Sequence, residues 1–324
     1  MTSRALGVLV LAAAAATAPF DAGCGDAADS AGSSEGSSVA GRKPIKTVFM
    51  IVLENHDWKS IQGNGAAPYI NTTLLPQASY ALNYRGVPGL HPSEPNYLWL
   101  EAGDNFGITS DHDPEDHHQA TTDHLVSQLT RAGLDWRSYQ EDIDGKSCPL
   151  EYVPLVSAYV PRHNPMVYFD DVTGGNDARS ATCIQHVRPF GELASDLRAH
   201  HAAAYNFITP NLCHDMHGQI AKCLFSNLVH EGDRWLSQTI PMIQASQAYK
   251  DGGAIFITFD ENEGGDAPIG MIVLSPLAKG HGYTSTIEYT HSSTLRTFEE
   301  IFGVPPLRAA ATSNDLRDLF VSFP

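Results

Sequence analysis

The sequence predicts an α/β fold in three layers, a mostly parallel central sheet with helices on both faces. Three observations predict it. Residues 47–53 and Ala254–Phe259 are continuous apolar runs bounded by polar residues, whereas a strand with one wet face would alternate. Segments whose apolar residues recur at three and four positions alternate with these runs, as helices laid over a sheet do. No repeat and no Pro- or Ser-rich linker interrupts residues 43–324, which read as one domain.

In chain order, residues 1–4 carry one positive charge and 5–16 are uncharged Ala, Leu, Val and Gly. That stretch has signal-peptide length and is too short to span a bilayer as a mature helix, so residues 1–23 read as an export signal. Its end admits two readings. Small residues around Thr17 offer a cleavage site, while Ala22-Gly23-Cys24 resembles the close of a bacterial lipobox that would leave Cys24 lipidated, with Asp21 where an apolar residue belongs. Residues 24–42 are Ser, Gly, Ala and Asp with almost nothing to bury, a flexible tether. The folded part opens with the strand at 47–53. Helical periodicity follows at 122–132, through Leu125 and Leu129, and at 190–200, and a short strand at 205–208. Leu236, Ile240 and Ile243 share one face of a helix at 235–249. Strands Ala254–Phe259 and Met271–Leu274 come next, then helices at 292–302 and 314–320.

Of 324 residues, 37 are acidic and 20 basic, for a formal net charge of −17. Nucleic-acid binding needs clustered Lys and Arg, and no basic run exists here. The same charge disfavours an anionic membrane surface, leaving a lipid anchor at Cys24 as the one membrane attachment. With 42% hydrophobic residues and 13 Phe, 12 Tyr and 4 Trp, the chain has ample material for a core. Cys148, Cys183, Cys213 and Cys223 make an even set that suits an oxidising compartment. Three pairings are possible, of which Cys148–Cys183 with Cys213–Cys223 closes the smaller loops. The competing reading is a metal site of Cys213, His214, His217 and Cys223, on a spacing unusual for zinc.

In parallel sheets the active groups gather beyond the carboxyl ends of the strands. The first run discharges into Glu54-Asn55-His56 and the run ending at Phe259 into Asp260-Glu261-Asn262-Glu263. Hard oxygen donors converging from two strand ends suit a divalent cation, and without one they would repel; the plainer alternative is that they are solvated. In His91-Pro-Ser-Glu-Pro-Asn-Tyr97, Ser93 sits at the amino end of a helix with Pro95 in its first turn. There the backbone N–H groups and helix dipole favour an anion and a more acidic hydroxyl. Ser93 could equally serve only as a cap.

Seven blocks carry a resemblance: Glu54-Asn-His56, His91-Pro-Ser-Glu-Pro-Asn-Tyr97, Arg162-His-Asn-Pro165, Pro210-Asn-Leu-Cys-His-Asp-Met-His217, Gly232-Asp-Arg-Trp-Leu236, Phe259-Asp-Glu261 and Tyr289-Thr-His-Ser292. In this order they resemble the bacterial phosphoesterase family that joins acid phosphatases with phospholipases C. The resemblance implies an alkaline-phosphatase-like fold and a hydroxyl nucleophile that forms a covalent phosphoryl intermediate. Carried over by position, it makes Ser93 the nucleophile, places one divalent metal ion among Glu54, Asn55, Asp260 and Glu261, and gives His163 and His217 catalytic and phosphate-binding roles. Asn96 joins those histidines beside a small phosphorylated substrate. Ser93 in place of threonine, the chain's end at Pro324 and the segments 102–109 and 135–142 resemble the shorter, phosphatase-like branch, so phosphomonoester hydrolysis is expected first. Phospholipase C-type cleavage is the runner-up. A non-catalytic phosphate-binding protein, from another class, would have no need of the Ser93 hydroxyl.

Most of the 15 histidines are expected to be ordinary. His112, His117, His118 and His124 lie in or beside the acidic segment 111–123, read as a solvated loop with His112 able to line the site mouth. His214 and Asp215 flank His217 and can orient it, His291 begins a helix, and His200, His201 and His281 read as surface residues. Asn71-Thr-Thr73 matches a glycosylation sequon that is incidental behind a bacterial-looking signal.

Overall fold

Every residue of β1 (Val48–Leu53) is buried, as its apolar run requires, and β1 lies inside an eight-stranded sheet. The computed structural model describes residues 44–324; the expected export signal, tether and Cys24 lie outside the described residues. The remaining strands are β2 (Ser79–Ala81), β3 (Trp136–Gln140), β4 (Val187–Pro189), β5 (Tyr205–Thr209), β6 (Ala254–Phe259), β7 (Met271–Leu274) and β8 (Tyr283–Ser285). They lie in the order β4-β3-β5-β1-β6-β7-β2-β8. All neighbours are parallel except those of β7, which runs antiparallel to both β6 and β2. β1 and β6 pair in register, from Val48 opposite Ala254 to Leu53 opposite Phe259, so both strands deliver their next residues at one place.

Five helices matter for the site: α1 (Ser93–Ala102), α2 (Leu125–Arg131), α3 (Leu193–Arg198), α4 (Leu228–Ala245) and α5 (His291–Phe302). α1, α2 and α5 pack on one another, and α3 packs with α4. Tyr205 and Phe207, two apart on β5 and so on one face, meet Phe298 of α5 at 5.5 Å and Tyr97 of α1 at 6.2 Å between ring centroids. The opposite face is covered too, since β1, β5, β6 and β7 are buried at every position. This is the expected three-layer arrangement.

The structure departs from the sequence reading at several ends. α4 begins at Leu228 rather than 235, because the Asn227 side chain accepts from His230 N at 3.1 Å and caps it there. The helix expected at 314–320 is only a 3-10 turn over Arg317–Leu319. Strands β2, β3, β4 and β8 went unpredicted; three of them have three residues each, too short for a period to show. Disulfides join Cys148 to Cys183 and Cys213 to Cys223, which removes the alternative metal site. Among the described residues no helix is long and apolar enough to cross a membrane.

Candidate active site

Five segments meet beyond the carboxyl ends of β1, β5 and β6. β1 delivers Glu54 and Asn55, and β6 delivers Asp260 and Glu261. The loop after β5 carries Asp215 and His217, the turn Pro161–His163 carries His163, and α1 starts at Ser93. Glu54 N donates to Asp215 O at 2.8 Å and Asp260 N to Leu53 O at 2.9 Å, so the backbone itself ties three of these segments together.

Glu54 is the centre of the cluster and is fully buried. Its Oε2 accepts from Ser93 Oγ at 2.9 Å and its Oε1 from Tyr97 Oη at 2.7 Å. His163 Nε2 stands 3.2 Å from Oε1 and His217 Nδ1 3.2 Å from Oε2. Asn55, held in the left-handed region at φ 47°, bridges the two strand ends. Its N–H donates to Asp260 Oδ1 at 3.1 Å, its Nδ2 to Glu261 Oε1 at 2.8 Å, and its Oδ1 faces His217 Nδ1 at 2.7 Å. His91 Nδ1 pairs with the other oxygen of Glu261.

Four acidic groups thus share one small volume. Burial, the largest cause, pushes Glu54 up to about 8. Burial and then the neighbouring Glu54 hold Asp215 and Asp260 well above the carboxylate range. Burial also raises Glu261. A cation would reverse that balance by favouring the charged forms. The fit is visible in the unmet atoms: Asp260 Oδ2, Asp215 Oδ2 and His163 Nε2 are buried without a hydrogen-bond partner. Glu54, His163 and His217 bring ligand atoms within 4.8 Å of one another, a cluster able to hold a metal ion. Glu54 is common to this group and to the four residues expected from the sequence. The two sets differ in the histidines, which the sequence reading assigned to phosphate.

His163 is lowered well below its ordinary range by burial and then by Arg162, and His217, exposed at the mouth, is lowered by the same two causes. Both shifts favour the neutral imidazole. Asp215 Oδ2 stands 3.2 Å from His163 Nδ1, and its Oδ1 accepts from His217 N at 2.8 Å. Asp215 thus bonds the backbone of His217 and faces the ring of His163.

Several sequence readings change here. Ser93 is buried at the start of α1, only 2% exposed. Asn96 is fully buried, and its amide donates to Leu90 O and Pro92 O at 2.9 and 3.2 Å, which fixes the turn that presents Ser93. The segment 111–123 is not simply a solvated loop. His112 and His118 are exposed, but His112 N and His117 Nδ1 both hold the buried Glu94 carboxylate at 2.7 Å. His124 is fully buried between Glu101 and Asp171, each at 2.9 Å. His291 is more than a cap, since Tyr84 Oη meets its Nδ1 at 3.0 Å and its Nε2 reaches Asp260 O. Tyr97 Oη bonds Glu54, and Asp215 bonds the backbone of His217, as its orienting role requires; both stand inside the quoted blocks, which for Tyr97 is the only signal that could have marked it.

The block Gly232-Asp-Arg-Trp-Leu236 has a structural explanation. A Cβ on Gly232 would lie 2.5 Å from Met216 Cε and Cγ and 3.0 Å from His214 O, so only glycine lets α4 lie this close to the loop of His217. The Asp233 carboxylate accepts from Tyr69 N and Ile70 N at 2.9 and 2.7 Å.

The chain matches the Phosphoesterase family over residues 77–305. It is 28% identical over 275 residues to a phosphatidylinositol-3-phosphatase of Mycobacterium tuberculosis, covering 84% of this chain and 82% of that one. It is 28% identical over 269 residues to a phosphate-repressible acid phosphatase of Penicillium chrysogenum, covering 79% of this chain but only 59% of the fungal one. A solved protein of the alkaline phosphatase superfamily from Vibrio parahaemolyticus superposes with a TM-score of 0.52 at 8% identity, over 87% of this chain and 75% of that one, a likeness of fold. The family match and the phosphatase names of the relatives converge: the chain belongs to the phosphoesterase family and is a phosphoric ester hydrolase.

Proposed function

We propose that the chain hydrolyses small phosphomonoesters, with Ser93 as the nucleophile. One observation carries the reading: Ser93 opens the ten-residue helix α1, and its hydroxyl donates to a buried carboxylate 2.9 Å away, between His163 and His217. The helix amino end favours a phosphoryl anion in front of Ser93. In the first half-reaction Ser93 Oγ forms the bond to phosphorus, the ester bond breaks and the leaving oxygen takes up a proton. In the second, water attacks the phosphoserine and phosphate departs. In its ionised form, Glu54 Oε2 is placed to receive the hydroxyl proton. His163 and His217 flank the Glu54 carboxylate, where their rings would line the phosphoryl group.

A divalent metal would be held by Glu54 and Asp260 with Asn55 and Glu261, or with the two histidines. Bound there, it would neutralise the phosphoryl oxygens and make the serine hydroxyl more acidic. Both relatives reported above bear phosphatase names, which supports a monoester. The aromatic residues that could cage a choline group are occupied: Trp58 and Tyr97 are buried, and Trp99 Nε1 donates to Ser292 Oγ at 2.7 Å. The two disulfides support an exported protein.

The test is hydrolysis of a chromogenic phosphomonoester beside phosphatidylcholine, by wild type and Ser93→Ala. The variant should lose several orders of magnitude in turnover. Retention of more than about a tenth of the activity, a barrier change of ~1.4 kcal/mol or less, would remove Ser93 from the mechanism. A tenfold preference for the phospholipid would promote the phospholipase C reading.

A further inference from the structure

Arg162 has no described acceptor for its guanidinium. The side chain is 18% exposed and its Nε lies 3.3 Å from Asp111 Oδ2, an ion pair not aligned as a hydrogen bond. No other N–H of the group donates to a described residue. A guanidinium carries five donors in a planar fork that matches an oxyanion, and of the Arg162 nitrogens only Nε is fully buried without a hydrogen bond. The placement is specific. Arg162 precedes His163 in the turn Pro161–His163. The other oxygen of Asp111 accepts from Glu94 N at 3.0 Å, in the first turn of α1 beside Ser93.

Arg162 also lines a cleft of about 200 Å³ together with Asp111, His112, Asp113, Tyr152 and Pro161. Two carboxylates in that cleft would repel a second anion on the leaving group, whereas the phosphoryl group in front of Ser93 lies beside the Glu54 carboxylate and needs a cation to offset it. We propose that Arg162 is a substrate-binding residue whose guanidinium takes oxygens of the phosphoryl group, with Asp111 as the positioning residue that aims it and an uncharged leaving group lying in the adjoining cleft. The proposal rests on the phosphomonoesterase reading above and adds to it the cation that captures the substrate.

The experiment uses Arg162→Gln, Arg162→Lys and Asp111→Asn in the full chain, with unfolding temperature and metal content checked. Binding of inorganic phosphate is measured by calorimetry. Values of kcat and KM are measured for one phosphomonoester with a neutral leaving group and one whose leaving group bears a second phosphate. Arg162→Gln should weaken phosphate binding and lower kcat/KM for both substrates by about tenfold to a hundredfold, the range of one or two charge-assisted hydrogen bonds. Arg162→Lys should recover part of the loss, added guanidinium should recover part in Arg162→Gln, and Asp111→Asn should show a smaller loss of the same kind. Unchanged phosphate affinity in Arg162→Gln overturns the proposal. So does a loss confined to the doubly phosphorylated substrate, which would make Arg162 a reader of the leaving group. If Arg162→Gln does not fold, Arg162→Lys carries the same comparison. A wild type that binds phosphate through Arg162 yet hydrolyses no phosphomonoester would overturn the function reading and uphold this one.

Discussion

Gly232→Ala sets two effects of known size against each other. In an unobstructed helix, alanine in place of glycine would stabilise by about 1 kcal/mol. Here the new methyl would lie 2.5 Å from two Met216 atoms and 3.0 Å from the His214 carbonyl. The thioether can swing aside, but the carbonyl moves only with its loop, which holds Asp215 and His217. Overpacking of this kind costs ~1–3 kcal/mol, so the net change is a loss of about 0–2 kcal/mol despite the better helix former. The consequence for activity is larger, because a displacement near 1 Å in an orienting group can lower the rate by ~100-fold. Urea unfolding gives the first number and kcat/KM on a chromogenic phosphomonoester the second. Met216→Ala, alone and combined, completes a cycle in which the pair should couple by at least ~1 kcal/mol. A Gly232→Ala protein stabilised by the full propensity gain, with unaltered kcat/KM, would refute the close-approach argument.

Two further outcomes are expected. Asp260→Ala should lose bound divalent metal together with activity, since it removes a buried carboxylate whose Oδ2 has no hydrogen-bond partner among the described residues; full metal by elemental analysis of the variant would assign Asp260 another purpose. Stability should also depend on pH through His124: burial lowers it, but the hydrogen bonds to Asp171 and Glu101 prevail and hold it above its ordinary 6.5. A base raised on folding stabilises fully below its unfolded pKa and loses that contribution as pH rises through the folded one. The unfolding free energy of wild type should therefore fall above pH ~6.5 more steeply than that of His124→Asn; parallel slopes would count against a charged His124.

What the sequence discloses depends on where a residue's partners lie. β1, β6 and β7 are legible because a strand buried on both faces needs no polar residue, and the convergence of Glu54 with Asp260 follows once two such strands are adjacent and in register. β3 is not legible, since Trp136-Arg-Ser-Tyr-Gln140 shows neither an apolar run nor an apolar face. Ser138 and Gln140 are nevertheless buried, because Asn164 Oδ1 accepts from Ser138 Oγ at 2.9 Å and Thr209 Oγ1 from Gln140 Nε2 at 3.1 Å. Those acceptors come from other segments, beyond the reach of a local pattern. The acidic stretch before His124 argues for solvent in the same misleading way, until Glu101 and Asp171 supply an ionic environment inside the protein.

The register of β1 against β6 also has a consequence for biogenesis. Asn55 and Glu261, which bond directly, are 206 residues apart in the chain, and β1 depends for its two neighbours on β5 and β6. At ~5–20 residues per second of synthesis, the apolar segment Val48–Leu53 waits on the order of 10–40 s for its partner strand to be made. During that interval it exposes an uninterrupted β-forming stretch, and such non-local pairings close slowly. Holding factors that mask this segment until β5 and β6 are made should therefore raise the yield of folded protein.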